Sequence, residues 1–305
     1  MTEPPAAVLA LAEARAGARA AREFEAADAL RAEIEAAGWT IVDEPGGGWR
    51  LDEVIAAESA DARLQPHEIE SRLVEPATDD VSVHWVCEGW PDDVARAVSS
   101  FRSHRGERRV RFVVADVTGE FGDAFADDVE VVSLAEGSGW GAAMNASLRR
   151  ATGRIVLVMD PSIEVSGDVL GPLEQALEDP EVGIVGPFGI VTHDLRQFDE
   201  VNGPGPCDAV EGYCMAMRRD VLASIEGFDE RFRWYRTADI ELSFRVKDRG
   251  LRTEVVPVPV VKHDHRMWFE TPPAERATWS KRNFYRFLDR WRDRWDLVLD
   301  PRPPA

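Results

Sequence analysis

From residue 81 onward, short β-branched runs alternate with segments of helical character, and this alternation limits the fold more than any other feature of the chain. The runs are "VSVHWVC", "RVRFVVAD", "VEVVSLA" and "RIVLVMD". Between the first pair lies "PDDVARAVSSFRSH", and between the third and fourth lies "GWGAAMNASLRRATG". Strands that alternate with helices predict parallel α/β winding. In such sheets ligands bind outside the carboxyl ends of the strands. Glu88, Asp116 and Asp160 each end such a run and are expected along one rim.

At 305 residues the chain can bury a large core, enough for one main domain with an appendage. Its 36 basic and 56 acidic residues leave a formal charge of -20, which disfavours generic attraction to nucleic acid or anionic lipid. Cys87, Cys207 and Cys214 lack metal-finger spacing. Cys207 and Cys214 either pair or stay as buried thiols, and a reducing compartment favours thiols. No signal peptide is read at the amino terminus, and no apolar run approaches the ~20 residues that span a bilayer. The expectation is a cytoplasmic protein.

Ahead of the alternating region, apolar positions at Leu9, Leu11, Phe24, Leu30 and Ile34 predict two helices packed as a hairpin. Gly38 supplies a helix stop, and "WTIVDEPGGGWRL" reads as a β-hairpin turned by Gly46 to Gly48. The stretch "AREFEAADALRAEIEAAGWTIVDEPGGGWRL" resembles the carboxy-terminal segment of cysteinyl-tRNA synthetases, which belongs to the tRNA-binding end of those enzymes. Residues 1–51 carry nine acidic and five basic side chains. Gripping phosphates needs local positive charge, so the segment reads as a packing or partner module. Residues 52–80 are polar, broken by Pro66 and Pro76, and read as a connecting helix or two and a linker.

Asp116 is followed by "VTG", so it is either a ligand-binding carboxylate or a turn aspartate. The glycines of "AEGSGWGAAMNASLRRATGRIVLVMD" let backbone approach a ligand, and Asn145 lies on the helix before the strand that ends at Asp160. Residues 81 to about 290 resemble the family 2 glycosyltransferases, inverting enzymes with the A-type nucleotide-sugar fold. The matches run in order through "VSVHWVCEGW", Asp116, "GWGAAMNASLRRATGRIVLVMDPSIEV" and "EGYCMAMRRDVLASIEGFDERFRWYRTADIELSFRVKDRGLRTEVVPVPVVKH".

The resemblance implies an α/β, Rossmann-like mixed sheet of glycosyltransferase A type, preceded by the small helical hairpin module. The implied domains are 1–51, a linker over 52–80, the transferase domain over 81–270, and an aromatic, basic helix and tail over 271–305. It further implies a donor site for a nucleoside diphosphate sugar at Glu88, Asp116, Asn145 and Asp160, with Asp116 on the nucleobase. The family's DxD motif, which binds a divalent cation (Mn or Mg), reads Asp160-Pro161-Ser162 here, so one carboxylate is replaced by a neutral hydroxyl. His263 matches the family's late histidine, a ligand for metal or diphosphate, and His265 has weaker support. Asp239 stands where the family has its general base, with Ala238 in place of the paired glutamate. Glu241 and Arg245, one helical turn apart, read as a surface pair.

Trp234 and Tyr235 offer either an apolar face for an acceptor sugar or a place in the core. In the tail, Trp279, Phe284, Leu288, Trp291 and Trp295 recur at near-helical spacing among Lys281, Arg282, Arg286, Arg290, Arg292 and Arg294. The helix either packs its aromatics on the main domain or touches a lipid-linked acceptor or the inner membrane surface. The expected function is inverting transfer of a sugar to a hydroxyl acceptor, such as a glycan, a lipid-linked sugar or a cell-envelope polysaccharide precursor. The alternative is a catalytically degenerate nucleotide-sugar-binding or scaffold protein, prompted by Ser162 and Ala238.

Overall fold

Residues 4–21, 24–37, 39–43, 48–53, 63–119, 128–201 and 203–302 are described by a computed structural model. They divide into two units, one ending at Ala62 and the other starting at Arg63.

In the first unit α1 (Ala6–Ala20) and α2 (Phe24–Ala36) precede a hairpin of β1 (Trp39–Asp43) and β2 (Trp49–Glu53). The hairpin is antiparallel, with Ile41 opposite Leu51. Helices this short and so rich in Ala, Glu and Arg are held by burying one stripe. Val8, Ala12, Ile34, Trp39 and Ile41 form that core, with Leu11, Trp49 and Leu51 packed against it. The stop read at Gly38 and the turn positions Gly46 and Gly47 lie outside the described residues.

The second unit is built on β3 (Asp79–Cys87), α3 (Pro91–His104), β4 (Val110–Asp116), β5 (Val129–Ser133), α4 (Trp140–Arg149) and β6 (Gly153–Met159). The remaining elements are β7 (Ile163–Val165), α5 (Leu170–Ala176), β8 (Val182–Gly186), β9 (Gly189–Thr192), β10 (Phe198–Glu200), β11 (Gly205–Cys207), β12 (Ala209–Val210) and β13 (Cys214–Arg218). These are followed by α6 (Arg219–Ile225), α7 (Ala238–Asp248), β14 (Arg252–Val255), β15 (Val260–Lys262), α8 (Arg266–Glu270) and α9 (Pro273–Trp291).

Eight strands form one sheet in the order β11-β14-β8-β13-β6-β3-β4-β5. β6, β3, β4 and β5 run parallel, as the sequence predicts, whereas β13 lies antiparallel between β6 and β8. The sheet is therefore mixed. One face packs against α4, α6 and α7 through Met144, Leu148, Val158, Met215, Leu222 and Leu242. The opposite face buries Trp85, Phe101 and Phe112, whose ring centroids lie 6.0 to 6.4 Å apart. Gly153 is where β6 lies hardest against β3, because a Cβ there would collide with the backbone of Val81 and Ser82.

His84, on β3, is fully buried and is held by the hydroxyls of Ser147 and Ser82, each 2.9 Å away. Burial pushes its imidazole down to about 3, so it stays neutral in the folded state and must gain a proton on unfolding below about pH 6.5. The unfolded chain then binds more protons than the folded one, so stability falls as the pH drops from about 6.5 toward 3. Urea denaturation of wild type and His84→Gln at pH 7, 6 and 5 should show the wild type losing up to about 1.4 kcal/mol per pH unit relative to the variant. Parallel curves for the two proteins would count against this assignment.

Two boundaries differ from the expected ones. Residues from Arg63 are not linker but part of the second unit: the Leu64 N–H donates to the Ser133 carbonyl at 3.1 Å, and Ile69 is buried in the core. They pair beside β5, the open edge of the sheet, which their polar composition conceals. The tail is likewise no separate element, since Phe287, Leu288, Trp291 and Leu297 form a cluster with Phe244 of α7. Its arginines are engaged by the same unit: Arg290 meets Glu241 at 2.9 Å, and Arg294 meets Asp248 at 2.6 Å. Cys87, Cys207 and Cys214 are buried, and Cys207 and Cys214 are free thiols. Among the described residues no helix is long and apolar enough to cross a membrane.

Candidate active site

Because β13 is antiparallel, its first residue, Cys214, pairs with Met159 at the carboxyl end of β6. The loop before β13 therefore arrives at the rim where Asp160 stands, and the Asp160 N–H donates to the Tyr213 carbonyl at 3.0 Å. A cavity of about 720 Å³ opens there, lined by Asp160, Glu211, Tyr213, Tyr235, Arg236, Asp239 and Lys262, and by residues of β9, β10 and α9. A smaller recess of about 40 Å³ adjoins it and shares Trp140, Asp160 and Tyr235 with it.

At the recess, the Asp160 carboxylate accepts from the Ser162 N–H at 2.8 Å, the Ser162 hydroxyl at 2.5 Å and His265 Nε2 at 2.9 Å. Ser162 thus donates to its neighbour instead of supplying a second anion. Burial works to raise the Asp160 carboxyl, but His265 and the Ser162 donors outweigh it and hold it below the usual carboxylate range. His265 caps α8, its Nδ1 accepting from the Trp268 N–H at 3.2 Å. A ring nitrogen that accepts carries no proton, so Nε2 is the protonated one and points its N–H at Asp160. Tyr235 stacks on the His265 ring at 4.5 Å.

The histidine at Asp160 is therefore His265, and His263 is directed elsewhere. Pairing of β15 with β7 sets Lys262 opposite Ile163, so His263 follows alongside Ser162 and its Nε2 meets Glu164 at 2.7 Å. Two residues later the chain turns into α8 and carries His265 inward. Glu88, at the end of β3, lines the recess with Oε2 buried and without a hydrogen-bond partner among the described residues. Burial and the nearby Asp160 charge push it up to about 8, so it is largely protonated at neutral pH.

Asp239 opens α7, which starts after Thr237 in left-handed backbone at φ 71°. One carboxylate oxygen accepts from the Gly212 N–H at 2.8 Å and the other from the Ile240 N–H at 2.9 Å. Burial raises this carboxyl against the pull of those two donors. Glu211, beside it, is pushed up to about 7 by burial and by the Asp239 charge. Glu241 is no surface group: it is 1 % exposed and held by Arg245 at 2.8 Å as well as by Arg290.

Three further residues of the expected set lie outside both walls. Asp116 is 2 % exposed, and its carboxylate accepts from the Thr118 N–H, the Thr118 hydroxyl and the Gly119 N–H within 3.1 Å, which is the arrangement of a turn aspartate. Asn145 bonds both backbone groups of Phe228 at 2.7 and 2.8 Å, fastening α4 to the turn at Gly227, where φ is +74°. Trp234 packs between Tyr235 and Trp279, 4.8 and 5.0 Å away, and is 7 % exposed. Of the aromatic pair only Tyr235 reaches the cavity.

The cations in the cavity wall escape sequence reasoning: Arg196, Arg236, Lys262 and Lys281. Lys262 lies 3.4 Å over the Tyr213 ring, and Arg236 lies 4.9 Å over Trp268. A sequence signal existed for Lys281 alone, in the basic tail. Among the described residues no group of three or more His, Cys, Asp or Glu is placed to hold a metal ion.

Residues 114–203 match the family described as glycosyl transferase family 2. Among solved structures, the chain resembles GalNAc-T7 in complex with UDP, GalNAc and Mn2+, with a TM-score of 0.59 and 16 % identity over 72 % of this chain and 48 % of that one. A mannosyltransferase, PcManGT from Pyrobaculum calidifontis in complex with GDP-Man and Mn2+, aligns with a TM-score of 0.45 and 19 % identity, over 66 % of this chain and 62 % of that one. A 45-residue stretch, 15 % of the chain, is 56 % identical to the cysteine–tRNA ligase of Opitutus terrae and makes up 10 % of that ligase. The chain thus spans about half the length of GalNAc-T7 and a tenth of the ligase. The second unit has the glycosyltransferase A-type fold, and residues 114–203 within it match the model of glycosyl transferase family 2.

Proposed function

We propose that the second unit transfers a sugar from a nucleoside diphosphate sugar to a hydroxyl acceptor, with inversion at the anomeric carbon. The observation that carries this reading is Asp239: a carboxylate in the cavity wall, oriented by two backbone N–H donors and made more basic by burial. In a single displacement the acceptor oxygen bonds to the anomeric carbon, the bond from that carbon to the diphosphate oxygen breaks, and the acceptor proton passes to Asp239. Asp160 and His265 mark the donor end, and Lys262 and Arg236 supply positive charge near it. Tyr235, stacked on His265 and lining both cavity and recess, offers a flat face to a sugar ring.

GalNAc-T7 and the mannosyltransferase were each solved with Mn2+. The side chains here suit a divalent cation that arrives with the diphosphate. Asp160, His265 and the unpartnered oxygen of Glu88 surround the recess, too few for an all-protein cage but enough for a cation that takes most of its shell from phosphate and water. Such a cation would neutralise charge on the departing diphosphate.

The degenerate-binder reading draws support from one observation: the Asp160 carboxylate is already engaged by Ser162 and His265. Calorimetric titration of UDP, GDP and dTDP, each with and without Mn2+, separates the two. Catalysis predicts that one nucleotide binds, that Mn2+ tightens it, and that the corresponding sugar nucleotide is turned over with an acceptor. A nucleotide that binds equally well without metal and is never turned over would leave the binder reading standing.

A further inference from the structure

Most arginines and lysines of the second unit pair with a carboxylate, yet four cations in the cavity wall, Arg196, Arg236, Lys262 and Lys281, have no ion pair among the described residues. In a chain of formal charge -20, cations left over in one cavity call for a ligand. Arg236 and Lys262 lie close to Asp239 and Glu211, where their charges act on the Glu211 carboxyl. Arg196 and Lys281 come from a different wall: Arg196 from the turn between β9 and β10, Lys281 from α9. Neither residue, nor any neighbour from those two segments, lines the recess that holds the rest of the Asp160 surroundings.

A second observation lies in the same wall. Ser280 lines the cavity, and its Oγ is buried with no hydrogen-bond partner among the described residues. A helical serine ordinarily returns its hydroxyl to the preceding turn, as Thr278 does to the Ala274 carbonyl at 2.8 Å. A buried hydroxyl without a partner is expensive unless a ligand completes it. Two acids share the cavity: Glu200 is exposed on β10, and Glu211, pushed up to about 7, is protonated about half the time at neutral pH. Phe198, Phe284 and Ile190 make the remaining wall apolar.

We infer that Arg196, Lys281 and the Ser280 hydroxyl form a subsite for a phosphate group carried by the acceptor, so that the acceptor is a phosphorylated or diphosphate-linked molecule. The assignment of this anion to the acceptor rests on the reading of the cavity as a transferase site, because the donor diphosphate belongs at Asp160. Two sources share this chemistry, a sugar phosphate and the headgroup of a lipid diphosphate.

The test uses the full chain and three probes, glucose 1-phosphate, octyl diphosphate and the neutral methyl glucoside, titrated by calorimetry in the presence of saturating donor nucleotide where one binds. At least one phosphate probe should bind more tightly than methyl glucoside, and the tighter of the two identifies the source. Arg196→Ala with Lys281→Ala should weaken it at least tenfold, Ser280→Ala should weaken it less, and Lys281→Arg should restore most of the binding, while affinity for UDP, GDP or dTDP is unchanged. Phosphate probes that bind no better than methyl glucoside, or equally well to the double variant, would overturn the subsite. If no nucleotide binds but the phosphate probe still depends on Arg196 and Lys281, the donor reading fails and the anion subsite stands. Thermal unfolding of each variant identifies loss of fold; the exposure of Arg196 and Lys281 makes the double variant stable.

Discussion

Replacing Asp239 by Asn is expected to lower kcat about 1,000-fold, the middle of the range for removal of a general base. On the proposed reading, which places the donor end at Asp160 and His265, donor nucleotide binding should survive, because Asp239 faces the cavity from α7. Asn offers one acceptor oxygen where the carboxylate satisfies both the Gly212 and Ile240 N–H groups, so about 1 kcal/mol of stability should be lost as well. Calorimetry with the nucleotide and thermal unfolding keep the two effects apart. The pH profile gives the same assignment an independent check. Burial raises the Asp239 carboxyl, and a base must be unprotonated to work, so activity should climb with pH through a limb above the ordinary carboxylate range. Glu211, pushed up to about 7 beside it, is coupled to that titration, and the limb belongs to the pair. Undiminished turnover by the Asn variant would remove Asp239 from the role of base.

The largest effect on folding is expected at Lys247. Asp208 is fully buried, and its carboxylate accepts from Lys247 Nζ at 2.8 Å, the Thr192 N–H at 2.8 Å and the Leu299 N–H at 2.9 Å. One carboxylate thus joins β9, α7 and the end of the chain. Lys247→Met leaves that charge buried without its cation, which should destabilise the protein by about 3 kcal/mol. Adding Asp208→Asn to it removes the stranded charge and should recover much of the loss. Urea denaturation of the single and double variants reads both outcomes. A single variant as stable as wild type would mean that the two backbone donors suffice.

The parallel half of the sheet is legible because β3, β4 and β6 are β-branched runs separated by helices of the right length. β13 is not legible in that way: its "CMAMR" is buried between β6 and β8, and Cys, Met and Ala carry no strand signal of their own. Asp160 and Asp239 could be placed at the rim from strand ends and motif order. The exchange of His263 for His265 could not, since it depends on the register of β15 against β7 and on where α8 begins. Asp116 and Asn145 show the converse. Their positions are where a motif expects them, and the hydrogen bonds their side chains make to Thr118, Gly119 and Phe228 are not written in spacing. Apart from Lys281, the cavity cations were invisible because they come from segments with no common pattern.

The antiparallel setting of β13 has a consequence for how such a site can change. After β8 the chain makes β9, β10 and β12 off the main sheet and β11 at its edge beside β14, and it returns at Cys214 directly beside the end of β6. Everything between residues 187 and 213 is therefore a detour whose two ends are pinned to adjacent strands. Exposed positions of that detour, such as Arg196, Gln197, Asp199 and Glu200, can be exchanged without moving Asp160 or the strands beneath it. On the proposed reading, a lineage could in this way retool which molecule it modifies while keeping the sugar supply it already uses.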